Sequence, residues 1–94
     1  MREVYVSLRR IGFILHVAKD GLIVARVNSN KADRLVGLVA MDYTMRRIGI
    51  IKDIIGPVNA PYALIKPIEG LNVASYVGKQ VYVRGVDYDK VMRR

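Results

Sequence analysis

Between residues 48 and 67 the chain leaves its backbone few paths. Two short apolar runs, 48–55 and 62–65, the first rich in β-branched residues, enclose Gly56-Pro57-Val58-Asn59-Ala60-Pro61. The runs are too short for stable helices and read as strands. Gly56 can take a positive φ and Pro57 fixes its own, so the first strand ends there. Pro61 holds Ala60 extended before the second strand begins at Tyr62, and Pro67, with no N–H for a ladder, stops it. The expectation is a stiffened hairpin whose tip shows apolar atoms and a phenol in place of the usual polar Asn-Gly turn.

The rest of the chain is punctuated in the same way. Residues 1–10 alternate Val4, Val6 and Leu8 with Tyr5 and Ser7 and read as an N-terminal arm or edge strand. Residues 12–19 form a strand with Phe13, Leu15 and Val17 on one face and Ile14, His16 and Ala18 on the other. Asp20-Gly21 turns it into an antiparallel partner at 22–27. A polar turn at 28–34, with room for one helical turn at 32–36, leads to a short strand at 38–41; 68–74 reads as loop. Residues 80–86 give a last strand with Val81 and Val83 on one face, and 87–94 a charged tail that frays. Six or seven short strands without a convincing helix predict an all-β domain over 11–86, a sandwich or a small barrel. Closure removes exposed edges and favours the barrel.

Composition narrows the function. There is no cysteine and one histidine, so neither a disulfide framework nor a zinc site is expected. No apolar run approaches the ~20 residues that span a bilayer, and the apolar patch at the N-terminus is too short for a signal-peptide core. The expectation is a soluble, cytoplasmic protein that binds no membrane. Sixteen Lys and Arg against eight Asp and Glu give a net charge of +8, which suits a polyanionic partner. Hydrophobic residues nonetheless make up 52% of the chain, more than phosphate binding alone requires. The combination points to a module that meets another protein within an RNA-rich assembly.

Catalytic constellations are not visible. The eight carboxylates form no paired or metal-binding motif, and Asp53 reads as an acceptor for backbone N–H groups near the turn. The glycines make no phosphate loop, and His16 reads as a structural or surface residue. No enzyme, cofactor or small-molecule ligand is expected. The six tyrosines read as core or rim residues of a small β-domain rather than as base-stacking platforms.

The order G-x-I-x-D-I-x-G-P-V-x-x-P-Y-x-x-I-K-P, from Gly49 to Pro67, resembles the signature of the archaeal Gar-type subunit of H/ACA ribonucleoproteins, particles that guide pseudouridine formation in RNA. Weaker matches flank it: L-H-x-A-K-x-G-L-I-V within 11–27 and Y-V-G-K-Q-V-Y-V at 76–83. The resemblance implies a six-stranded closed barrel of the translation elongation-factor type, Greek-key-like in its connections. It implies a non-catalytic subunit that binds the pseudouridine synthase, touches RNA only through the complex, and aids substrate loading and release through a mobile loop of the enzyme. The residues it assigns to partner binding are Gly49, Gly56, Pro57, Val58, Pro61, Tyr62 and Lys66, with Val58, Pro61 and Tyr62 making most of the contact. Two alternatives stay open: a free-standing basic RNA-binding barrel, and a ribosome-maturation factor with a related barrel.

Overall fold

The computed structural model describes residues 7–93. Six strands, β1 (Leu8–Val17), β2 (Ile23–Val27), β3 (Val39–Met41), β4 (Arg47–Ile55), β5 (Tyr62–Pro67) and β6 (Gln80–Arg84), close into an antiparallel barrel in the order β1-β2-β5-β4-β3-β6. The two hairpins read from Asp20-Gly21 and from Gly56–Pro61 are both present, as β1–β2 and β4–β5. The pairing of β2 with β5 joins them, and β6 seals the barrel against β1 and β3.

A barrel this small is filled by side chains alone. Its interior holds Ile14, Ile23, Leu35, Ile48, Ile51 and Ile65, with Val81 and Val83 inward from β6 as their alternation predicts. Strict alternation fails in β1, because the ladder shifts register between Arg10 and Gly12 and again between Ile14 and His16. The extra residues turn the strand around the barrel, so Ile11 and Gly12 are both buried while Leu15 and His16 are both exposed. A third shift, between Ile51 and Asp53, bends β4.

Closure also demands close backbone approach. A Cβ on Gly12 would lie 1.6 Å from the Arg26 carbonyl oxygen, and one on Gly49 would lie 2.1 Å from that of Lys66. Only glycine fits at these crossings.

Three expectations change. Of the N-terminal arm, residues 1–6 lie outside the described residues, whereas Leu8–Arg10 belong to β1 and pair with β6. The loop read at 68–74 leads into a 3-10 turn, Val73–Tyr76, whose Tyr76 is buried; another 3-10 turn, Ala32–Leu35, occupies the helical turn expected near 32–36. Most clearly, β6 ends at Arg84 and the expected tail folds into a helix, α1 (Gly85–Met92).

Eight residues are too few to hold a helix alone, so α1 depends on what it touches. Val91 is buried, and Tyr88 and Met92 pack against the barrel core. The Gly85 N–H donates to the Ser7 carbonyl, and the Arg34 guanidinium donates to the carbonyl of Met92 at the helix end. Arg9 adds an ion pair to Asp89 at 3.3 Å and stacks over Tyr88. The helix and the first 3-10 turn thus cover the end of the barrel that also carries the β4–β5 tip.

Candidate functional site

The tip is a β-turn closed by the Ala60 N–H, which donates to the Pro57 carbonyl at 3.0 Å. Gly56 enters it at φ +89°, a conformation closed to β-branched residues. A Cβ there would also lie 3.0 Å from the Tyr62 ring, so the ring packs over the bare glycine. The Arg26 guanidinium also stacks on that ring, 5.6 Å from its centroid. The tip is therefore held by stacking and proline geometry at once.

What the tip presents is apolar. Val58 is 76% exposed, Pro57 is exposed beside it, and Ile55 is exposed at the end of β4. Under Val58 lies a groove of about 230 Å³ between the hairpin and residues 29–33. Ala32, Ile54, Pro57, Val58 and Pro61 give it apolar walls, and Ser29 and Asp33 give it a polar edge. Exposed valine on a rigid turn contributes nothing to the core and loses little entropy when a partner covers it.

The seven residues read from the motif do not form one surface. Gly56, Pro57, Val58, Pro61 and Tyr62 come together at the tip, whereas Gly49 and Lys66 sit at the far end of the same hairpin, where Gly49 pairs with Pro67 and Ile50 with Lys66. Gly49 is buried in the ladder, so its place is fixed by backbone clearance and it has no surface to offer. Pro61 is also buried, its carbonyl accepting the Val27 N–H at 3.1 Å; it anchors the tip and lines the groove beside it. Tyr62 is half-buried, and Gly56, Pro57, Val58 and Asn59 are the tip's exposed residues, with Ile55 beside them. Lys66 is exposed, next to Lys52 and the β1–β2 turn. Asp53 accepts the N–H of Ile54, one of the backbone bonds expected of it.

A second built feature was not visible as a motif. Between β3 and β4, Asp42 is buried, and its carboxylate accepts from the Thr44 N–H (2.8 Å), the Thr44 hydroxyl (2.5 Å), the Arg46 N–H (3.0 Å) and the Tyr76 hydroxyl (3.2 Å). Burial pushes its pKa up, but the four donors together outweigh burial and hold the carboxyl below the ordinary aspartate range. The fastened loop carries Met45 at φ +69°, a conformation uncommon outside glycine. The signal in the sequence was the Asp-x-Thr spacing of an Asx turn.

Among the described residues, no group of three or more His, Cys, Asp or Glu side chains is placed to hold a metal ion, and no helix is long and apolar enough to cross a membrane. The sequence matches no protein-family model. It is 37% identical over 81 residues to an uncharacterized protein of the archaeon Methanothermobacter thermautotrophicus, an alignment that covers 81% of this chain and 83% of the relative.

Proposed function

The chain belongs to the family of that archaeal protein, and we propose that it is a non-catalytic subunit of an H/ACA-type guide ribonucleoprotein, docking on the pseudouridine synthase through its β4–β5 tip. The observation that carries this reading is Val58: an apolar side chain 76% exposed, on a turn locked by Gly56, Pro57 and Pro61, above an apolar groove. Such a surface is dispensable for the barrel and suited to a protein partner, because a rigid apolar knob beside a groove offers both an anchor and a pocket. The six-stranded barrel and the G-P-V-x-x-P-Y order at that tip agree with the resemblance that suggested the partner. In this reading the chemistry belongs to the partner, and the barrel supplies a fixed contact that helps substrate RNA load and leave.

The test is affinity capture from a native archaeal extract with tagged wild-type chain and with Val58→Asp. The reading expects a pseudouridine synthase in the wild-type eluate and its loss from the variant. A synthase retained by both proteins, or absent from both, overturns it.

A further inference from the structure

The end of the barrel opposite the hairpin holds an open cavity of about 700 Å³, within the ~300–1,000 Å³ range of small-ligand sites. Buried Asp42 and Tyr76 and half-buried Tyr82 form its inner lining, while Tyr43, Arg46 and Lys79 are open to solvent. Tyr43 is 74% exposed, a phenol ring standing in water on a loop that Asp42 fastens at both ends. Lys79 lies over the Tyr76 ring, 5.8 Å from its centroid. Among the described residues neither Lys79 nor Arg46 has an ion-pair partner. Among the described residues Asp42 is the one carboxylate in the lining, and its oxygens are turned to internal donors. What faces outward is the Tyr43 ring with the Arg46 and Lys79 cations, beside the exposed polar residues Thr44, Ser75 and Gln80, in a chain of net charge +8.

We propose that this cavity binds an unpaired stretch of nucleic acid, with Tyr43 stacking on a base and Arg46 and Lys79 holding the adjoining phosphates. Aromatic rings with interleaved cations match the two parts of a single strand, and a concave site with a closed base admits a splayed base that a duplex does not offer. The site is independent of the docking reading, because Arg46 precedes β4 and Gly56 follows it. Nine strand residues, roughly 30 Å at ~3.3 Å each, separate the cavity from the tip. A subunit gripped at Val58 leaves the cavity open, so one barrel can hold protein at one end and a single strand at the other.

Fluorescence anisotropy of the full chain with labelled ten-nucleotide oligouridylate, oligothymidylate and a duplex of equal length tests this. Both single strands should bind more tightly than the duplex, and a preference between them identifies the source as RNA or DNA. Tyr43→Ala should weaken single-strand binding about 5- to 100-fold with an unmoved melting midpoint, while Tyr43→Phe retains it. Arg46→Gln and Lys79→Gln should each lower the salt slope by ~0.7, whereas Lys31→Gln, the same charge change at the hairpin end, should leave it unchanged. Equal losses for Lys31→Gln and Arg46→Gln, tighter duplex binding, or unaltered binding by Tyr43→Ala would each overturn the site. So would loss of synthase capture by Tyr43→Ala with nucleic-acid binding intact, since the cavity would then be a protein interface.

Discussion

Replacing Gly49 by alanine separates the part of the motif that builds the barrel from the part left exposed at the hairpin tip. The new Cβ would stand 2.1 Å from the Lys66 carbonyl oxygen, 2.8 Å from its carbon and 2.9 Å from the Pro67 Cα, all backbone atoms that no rotamer change can remove. A carbon–oxygen contact settles near ~3.3 Å, so β4 and β5 must part locally by roughly 1 Å. That breaks one or two ladder bonds beside it, including the 2.9 Å bond from the Ile68 N–H to the Ile48 carbonyl. Strain of ~1–3 kcal/mol and about 1 kcal/mol per lost bond give a destabilisation of ~2–5 kcal/mol. A domain of this size holds only about 5–14 kcal/mol in all. At ~4–8 °C per kcal/mol, the melting midpoint should fall by about 10–40 °C. Gly70→Ala is the control: Gly70 has φ +85°, but nothing lies within 4 Å of its added Cβ. It should cost only the ~1–2 kcal/mol of a left-handed residue. Circular dichroism melts of the three proteins decide the matter. If Gly49→Ala melts within about 5 °C of wild type, or no lower than Gly70→Ala, the close crossing does not constrain the barrel and the reasoning fails.

Two further outcomes follow from the same geometry. Because the Asp42 carboxyl is held below its unfolded pKa of ~3.9, its contribution is complete above that value and is lost as pH falls through the lower folded pKa. Urea midpoints between pH 6 and pH 2 should therefore drop less steeply for Asp42→Asn than for wild type, from a lower starting point. Val91→Ala removes two buried methyls from α1 and should lower stability by ~1–2.5 kcal/mol, whereas a frayed tail would show less than ~0.5 kcal/mol in the same urea titration.

Much of the barrel was legible because β-branched runs and Gly or Pro punctuation coincide at nearly every boundary. The two hairpins, the inward Val81 and Val83, and the exposed Val58 needed no tertiary information. The register shifts in β1 did need it: a bulge inserts a residue without changing composition, so Leu15 and His16 lose their assigned faces only when the strand must wrap the barrel. The helix α1 was hidden for another reason. Its support comes from Ser7, Arg9 and Arg34, far away in sequence, and the spacing of Tyr88, Val91 and Met92 was its only local trace. The motif itself mixed two physical roles. Gly49 and Pro61 are set by backbone clearance and anchoring, and Val58 by exposure, a distinction that residue identity does not encode. Asp42 offered only the short Asp-x-Thr spacing, and nothing marks it as buried until Tyr76, 34 residues on, is brought beside it.

The most direct test of the docking claim is isothermal titration of the purified pseudouridine synthase with wild-type chain and with Val58→Asp, each paired with a thermal melt. Val58 is 76% exposed and is not one of the buried core residues, so the variant should melt as wild type does, within ~0.5 kcal/mol. Burying an unpaired carboxylate at the centre of the contact should weaken binding by ~2 kcal/mol or more, at least about 30-fold. Single-turnover pseudouridine formation should be little changed while multiple turnover falls. A folded Val58→Asp chain that binds the synthase as tightly as wild type contradicts the account and moves the interface away from the hairpin tip.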